Sequence, residues 1–214
     1  MVLDLFLREL PVEWEIYVQP HLNGLRPDFV LLNPAVGIAV FKVKDWDLDA
    51  LHYFVAVERH DGPVLMARDA NGVEFNKQRE NPVRAVNRYK QSIHEIYCPR
   101  IRGKGSFGVV TAGVIFPFAD TGRVKALLAP FMTDVLDTRA APYHPISGVR
   151  DVAQSIIRSV FPEVGRQDSS FSGSRCDLAK SGSSSHPLRS SASSGTMNLE
   201  SCRPTSGKTD RMML

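Results

Sequence analysis

An aspartate and two lysines stand out in residues 26–46, RPDFVLLNPAVGIAVFKVKDW. Asp28 opens one predicted strand, and Lys42 and Lys44 close the next. Side chains alternate between the two faces of a strand, so Lys42 and Lys44 share one face. Two ammonium groups on one face repel each other unless an anion lies between them or both reach solvent. The spacing predicts either a charged site with Asp28 as the anionic neighbour, or a sheet end where the lysine stems cover apolar surface and the ammonium groups reach water.

Strands alternating with helices must position these residues. A helix that begins at Asn81-Pro82 is predicted because Asn is a good N-cap and Pro suits the first helical position. A nearly unbroken apolar run over residues 107–118 is typical of a strand covered on both faces. The remaining elements predicted are helices over 2–9, 122–131 and 148–160, and strands over 14–20, 28–33, 37–44, 51–58, 64–70 and 133–138. This order indicates an α/β fold with a mixed sheet whose early strands form hairpins.

Composition divides the chain near residue 165. The whole chain has 214 residues, 43% of them hydrophobic, and a net charge of +3, which is ordinary for a globular protein and permits an anionic partner. Residues 166–214 are rich in serine, poor in aromatic residues and without hydrophobic periodicity. Such a segment does not bury enough apolar surface to order itself. We therefore predict one folded domain over 1–165 and a disordered tail over 166–214.

Cysteine and histidine usage indicates a reducing compartment and no metal cluster. The three cysteines, Cys98, Cys176 and Cys202, form no CxxC motif, and the six histidines show no metal-ligand spacing, so that His144 is given no role. The N-terminus lacks the features of a secretory signal. No apolar run approaches the roughly 20 residues that span a bilayer. The expectation is a cytoplasmic protein without a membrane segment.

Several motifs follow one another in a recognisable order. PDFVLLNP and GIAVFKVKDW are followed by NPVRAVNRY (81–89), GVVTAGVIFPF (108–118) and YHPISG (143–148). In this order they resemble the nuclease-related domain (NERD) family, a branch of the PD-(D/E)xK restriction-endonuclease-like nucleases. The resemblance covers residues 1 to about 165. It implies a restriction-endonuclease-like mixed central sheet flanked by helices, DNA as the substrate, and a helicase-like ATPase module as a partner in full-length relatives.

The resemblance also implies a metal-dependent chemistry with one departure. Such enzymes use Mg²⁺ or Mn²⁺ to activate water, with two acids as ligands and a lysine that stabilises charge on the phosphate. Asp28 matches the first acid and metal ligand, and Lys44 matches the catalytic lysine. Lys42 stands where the pattern has the second acid, which opposes a cation by about 1–4 kcal/mol. Asp45 and Asp47 are poorly placed to replace it, so metal binding is expected to be weakened.

Further departures lie on the predicted helix. Related nucleases often carry a QxxxY motif, whose positions match Ala85 and Tyr89, so the tyrosine remains and the glutamine does not. Arg84 and Arg88 lie four residues apart and are candidate phosphate contacts together with Tyr89. The alternatives are a solvated helix face for the arginines and a packed aromatic for Tyr89. An acid found on the first helix of many relatives would fall at or before Met1.

Three hypotheses for function follow from these residues. The first is a metal-dependent DNA nuclease that is impaired because Lys42 replaces the second acid. The second is a non-catalytic nucleic-acid-binding module in which Lys42, Lys44, Arg84 and Arg88 form an anion-binding patch. The third is a truncated remnant of a longer helicase-nuclease, which would neither bind nor cut.

Overall fold

The computed structural model describes residues 1–58, 62–97, 109–132 and 141–165. Within these ranges the chain has a mixed α/β fold, so the fold class predicted from the sequence is confirmed. The elements in chain order are α1 Val2–Glu9, β1 Glu15–Val18, β2 Phe29–Asn33, β3 Gly37–Val43, β4 His52–Glu58, β5 Gly62–Arg68, β6 Glu74–Asn76, α2 Pro82–Ser92, β7 Val110–Ile115, α3 Thr121–Leu128, β8 Ile146–Ser147, α4 Val149–Ala153 and α5 Ile157–Val160.

A five-stranded mixed sheet in the order β1-β2-β3-β7-β8 forms the centre of the fold. The first three strands are antiparallel neighbours, and β7 and β8 continue the sheet in parallel with β3. Asn33 closes the turn between β2 and β3, because its side chain accepts the Ala35 N–H at 2.9 Å. The register pairs Val30 with Val40, and continuing it by two residues places Asp28 opposite Lys42.

Apolar side chains cover both faces of this sheet. On one face, Val30 and Val40 pack with residues of α2 and α3 in a single cluster. On the other face, Phe29 and Phe41 pack with α1, Trp14 and the segment around α5. Residues of β3 alternate between these two clusters, which places Lys42 on the face that α2 covers.

Strands β4, β5 and β6 form a separate antiparallel sheet, whereas the sequence suggested hairpins within the central sheet. The reason is that both edges of β3 already pair, with β2 on one side and β7 on the other, so the following hairpin has no free edge there. Fully buried Leu65 and the stacked rings of Trp46 and Tyr53, 4.3 Å apart, join the second sheet to the core.

The helix predicted over 148–160 is instead two short helices, α4 and α5. Ser155 between them has φ = 53°, a left-handed conformation that cannot continue a right-handed helix. The helix predicted from Asn81 is α2, followed by a π-helical turn over Ile93–Tyr97. The strand predicted over 133–138 and the tail predicted over 166–214 lie outside the described residues.

No helix in the described parts of the chain is long and apolar enough to cross a membrane.

Candidate functional site

Asp28 and Lys42 form an ion pair at the end of the central sheet. Lys42 Nζ lies 2.9 Å from one carboxylate oxygen of Asp28 and 3.1 Å from the other. The Val43 N–H donates to the same carboxylate at 2.7 Å. The side chains of Lys42 and Asp28 are only 23% and 21% exposed, so water screens their charges less than it screens a surface pair. The carboxylate is therefore held by a cation and by the backbone at once.

Lys44 follows on the same strand face but makes no such pair. Its N–H donates to the Ile115 carbonyl at 2.9 Å, which extends the β3–β7 ladder, and its Nζ lies 5.8 Å from the centroid of the Trp46 ring. Burial lowers the pKa of Lys44, and the nearby ammonium of Lys42 lowers it further. Among the described residues no carboxylate forms an ion pair with it. A half-buried ammonium group in this position favours the approach of an anion.

Tyr89 lies beside the ion pair, on α2. Its side chain packs in the core cluster on this sheet face, and its hydroxyl donates to the Arg26 carbonyl at 3.3 Å. Burial raises the pKa of Tyr89, while the charges of Lys42 and Asp28 act on it in opposite directions. Tyr89 is therefore a packed aromatic whose hydroxyl is bound to the backbone, next to the predicted site.

Arg84 and Arg88 are exposed on α2, four residues apart and so on one side of the helix. The positive charge of Arg88 acts on the hydroxyl of its neighbour Tyr89. Arg84 lies one turn earlier, where its N–H and that of Val83 are capped by the Asn81 side chain. The structure thus brings the predicted residues Asp28, Lys42, Lys44 and Tyr89 together, whereas Arg84 and Arg88 lie on the exposed side of α2 and make no ion pair with them.

Three further residues surround Lys44 that the sequence did not single out. Glu80, which pairs with Lys77 at 2.9 Å, favours the charged form of Lys44 and helps raise the pKa of Tyr53. Trp46 and Tyr53 stack beside the lysine. The motif KVKDW contained one signal, since it places an aromatic residue, Trp46, two positions after Lys44. Nothing in the sequence linked residues 44, 53 and 80, because they meet only through the packing of the two sheets.

A divalent metal does not fit this arrangement of side chains. Mg²⁺ and Mn²⁺ require several oxygen ligands with available lone pairs. Asp28 offers one carboxylate, and its two oxygens already accept hydrogen bonds from Lys42 and Val43. The ammonium of Lys42 brings a positive charge to the place where the second acid would ligate. Across the described ranges, no group of three or more His, Cys, Asp or Glu side chains is arranged to hold a metal.

The two aspartates after the lysines do not supply the missing acid. Asp45 is exposed. Asp47 closes a turn, accepting the N–H groups of Asp49 at 2.8 Å and Ala50 at 3.1 Å, and these hydrogen bonds lower its pKa. The Asp47 carboxylate is therefore held by the backbone of its own turn.

A second polar pair, Lys90 and His144, is buried between α2 and the segment before β8. Lys90 Nζ lies 3.1 Å from His144 Nε2 and 5.6 Å from the centroid of the Tyr143 ring. Burial lowers the pKa of Lys90 to about 8 and that of His144 to about 4, the charge of Lys90 adding to the second shift. Because an ammonium group only donates, Nε2 accepts and the ring proton is on Nδ1. His144, which the sequence left without a role, is a buried acceptor.

No family model, curated protein or solved structure matches the chain. The resemblance to the nuclease-related domain family therefore remains an expectation carried by Asp28, Lys44 and the motifs around them.

Proposed function

We propose that this chain is a nuclease-like domain that binds DNA phosphates and does not cleave them with a metal. The observation that carries the proposal is the Lys42–Asp28 ion pair, which puts an ammonium group on the carboxylate that a metal would need. The proposal includes a restriction-endonuclease-like version of the mixed α/β fold. Antiparallel β1–β3, parallel β7 and a helix over the face bearing Asp28 and Lys44 support it.

Three cations support the binding of phosphates. Lys44, Arg84 and Arg88 form no ion pair with any described residue, and all lie on the α2 side of the sheet. Cations of this kind bind DNA by releasing the counterions that surround its phosphates. The net charge of +3 favours such a partner but is too small to produce binding by itself. Binding would therefore depend on where these cations lie more than on the net charge.

The same residues lack the means to cleave. Hydrolysis of a phosphodiester requires an activated water and a cation that offsets charge on the phosphate. Lys44 can offset charge. Of the described carboxylates that act on it, Asp28 is paired with Lys42, Glu80 is paired with Lys77, and Asp45 is exposed, so none is held in place to activate water. By resemblance, a cytoplasmic helicase-like ATPase module is the expected partner, and this surface would hold the DNA that such a module presents.

Binding tests the first half of the proposal. We expect fluorescence anisotropy with a labelled duplex to show affinity that falls with salt and is equal in Mg²⁺ and in EDTA. Lys44→Ala should weaken binding and reduce the slope of log affinity against log salt by about 1. Arg158→Ala is the matched control, since it removes one exposed positive charge from α5 on the opposite side of the sheet. Equal losses in both variants would contradict a site at Lys44.

Cleavage tests the second half. Wild-type protein incubated with supercoiled plasmid and Mg²⁺ or Mn²⁺ should leave the plasmid intact. Lys42→Glu restores the acid that the nuclease pattern has and is the variant in which nicking is expected. Lys42→Glu/Lys44→Ala is its control and should be inactive. Cleavage by the wild type that is lost in Lys44→Ala would overturn the proposal and establish a working nuclease.

A further inference from the structure

We infer that Asp28 limits DNA binding by occupying Lys42, so that removing the charge of Asp28 strengthens binding. The inference rests on the proposed function and assigns different roles to the two neighbouring lysines. Lys44 is available to bind a phosphate. Lys42 is not, because its ammonium group is paired with the carboxylate of Asp28.

The geometry separates the two lysines. Lys42 Nζ contacts both oxygens of Asp28, at 2.9 and 3.1 Å. A phosphate that approaches Lys42 must compete with this carboxylate, which offers the same kind of oxygen acceptor and is already in place. The ammonium of Lys44 has no ion pair with a described residue, so a phosphate there does not have to displace a carboxylate in contact with it. Two lysines on one strand face therefore contribute one available positive charge.

Asp28 is itself firmly held in this position. Its N–H donates to the Phe41 carbonyl at 3.2 Å, its carbonyl accepts the Gln19 N–H at 2.8 Å, and its carboxylate accepts the Val43 N–H at 2.7 Å. The carboxylate is therefore held at the end of the sheet by the backbone of both neighbouring strands and by the Val43 N–H. Its negative charge also repels any phosphate near Lys44.

The effect of Asp28→Asn on DNA affinity should be opposite to the effect expected at a metal-dependent site. Where Asp28 holds a metal that bridges to DNA, Asp28→Asn weakens metal-supported binding. Where Asp28 occupies Lys42, the same substitution releases an ammonium group and removes a repulsive charge. The direction of the change in affinity thus distinguishes the two roles of one residue.

Four forms of the full chain test the inference by anisotropy with a 30-base-pair duplex in EDTA. They are the wild type, Asp28→Asn, Lys42→Met and Asp28→Asn/Lys42→Met. Asparagine keeps an oxygen that can accept the Val43 N–H, and methionine keeps the unbranched stem of lysine. Thermal melts of each form accompany the binding curves, so that a loss of folding is not mistaken for a loss of binding.

Local charge sets the expected order of affinity. Asp28→Asn should bind about three- to tenfold more tightly than wild type at low salt, with a slope against log salt steeper by about 0.9, because one phosphate contact is added. The double variant should bind with the wild-type affinity. It lacks the repulsive carboxylate but also lacks the ammonium group that Asp28→Asn releases. Lys42→Met should bind most weakly, because an uncompensated carboxylate then faces the DNA.

Failure of this inference and failure of the proposed function give different results. If wild-type binding is present and falls in Lys44→Ala, but Asp28→Asn binds equally or more weakly, Asp28 does not restrain Lys42 and the inference is wrong. If Asp28→Asn and its double variant gain equally, the gain comes from lost repulsion alone and the released lysine plays no part. If neither the wild type nor Asp28→Asn binds DNA, the proposed function itself is wrong.

Discussion

At the scale of single residues, position 42 carries an ammonium group. The nuclease pattern that this sequence resembles has a carboxylate there. The change does more than remove a ligand, because Lys42 also engages the remaining acid, Asp28, at 2.9 Å. A neutral residue at this position would have left one oxygen of Asp28 without a hydrogen bond from the protein, since the other still accepts the Val43 N–H. Lys42 instead forms an ion pair that occupies both carboxylate oxygens of Asp28. Of the two lysines, only Lys44 is then available to bind a phosphate. One side chain thus changes the chemistry that its neighbours can perform.

The buried pair Lys90–His144 leads to a prediction about stability and pH. Burial lowers the pKa of His144 from 6.5 to about 4, so the folded protein holds the imidazole neutral while the unfolded chain takes up a proton below pH 6.5. The free energy of unfolding should fall by up to about 3 kcal/mol as the pH falls from about 6.5 to about 4. Urea denaturation at several pH values in this range measures the change.

The control for this prediction is His144→Gln, whose amide oxygen can accept from Lys90 but does not titrate. Carboxylates also titrate in this range, so the difference between wild type and variant isolates the imidazole. Lys90 does not contribute to the difference, because its lowered pKa of about 8 affects stability only between about pH 8 and 10.5. Parallel curves for wild type and His144→Gln would show that the imidazole is not held neutral by the fold.

At the scale of elements, the packing of β3 against β7 leaves no room for a side chain at Gly113. A Cβ there would lie 2.4 Å from the Phe41 ring, and Phe41 is itself fully buried against Phe6 and Phe161. Gly113→Ala should lower the free energy of unfolding by about 1–3 kcal/mol, because the ring must shift within a filled core. Urea denaturation with a tryptophan fluorescence signal measures the loss.

The compensating substitution is Phe41→Leu, which removes the ring atoms that the new methyl group would meet. Phe41→Leu should destabilise the protein by itself, since it leaves a cavity. In the double variant, however, the additional effect of Gly113→Ala should be much smaller than in the wild-type background. Additive losses would indicate that Gly113 and Phe41 are not in contact.

At the scale of the whole molecule, residues from both ends of the described chain close one face of the central sheet. Trp14 Nε1 donates to the Val164 carbonyl at 3.3 Å, and the rings of Trp14 and Phe161 pack edge to face at 5.1 Å. Val160, Phe161 and Val164 are almost fully buried in the same cluster as α1. The folded unit therefore uses the chain at least as far as Val164.

Two fragments test this requirement. A fragment of residues 1–165 should unfold at the same temperature as the full chain, because it retains both core clusters. A fragment of residues 1–155 should be much less stable, since each large apolar side chain removed from the core contributes about 1.5–3 kcal/mol. Circular dichroism melts measure both. A fragment 1–155 as stable as the full chain would show that the segment around α5 does not complete the core.

Several features of the fold could be predicted from local rules that involve only a few neighbouring residues. Alternation along the predicted strand over 37–44 put Lys42 and Lys44 on one face. In the structure Lys44 follows the end of β3, its N–H continues the ladder to β7, and the ammonium of Lys42 acts on it. Asn81 was predicted as a helix cap, and its side chain accepts the N–H groups of Val83 and Arg84. These predictions succeed because strand alternation and helix capping depend on the geometry of the local backbone.

Only the tertiary structure decided the rest. It set the partner of Asp28, the separate sheet of β4–β6, the burial of His144 against Lys90 and the break at Ser155. Each depends on contacts between segments far apart in the chain, whose register and packing are not encoded in any single short pattern. The sequence by itself determined which charged residues lie near the end of β3. Their pairing, and with it the function we propose, was decided by the register between β2 and β3.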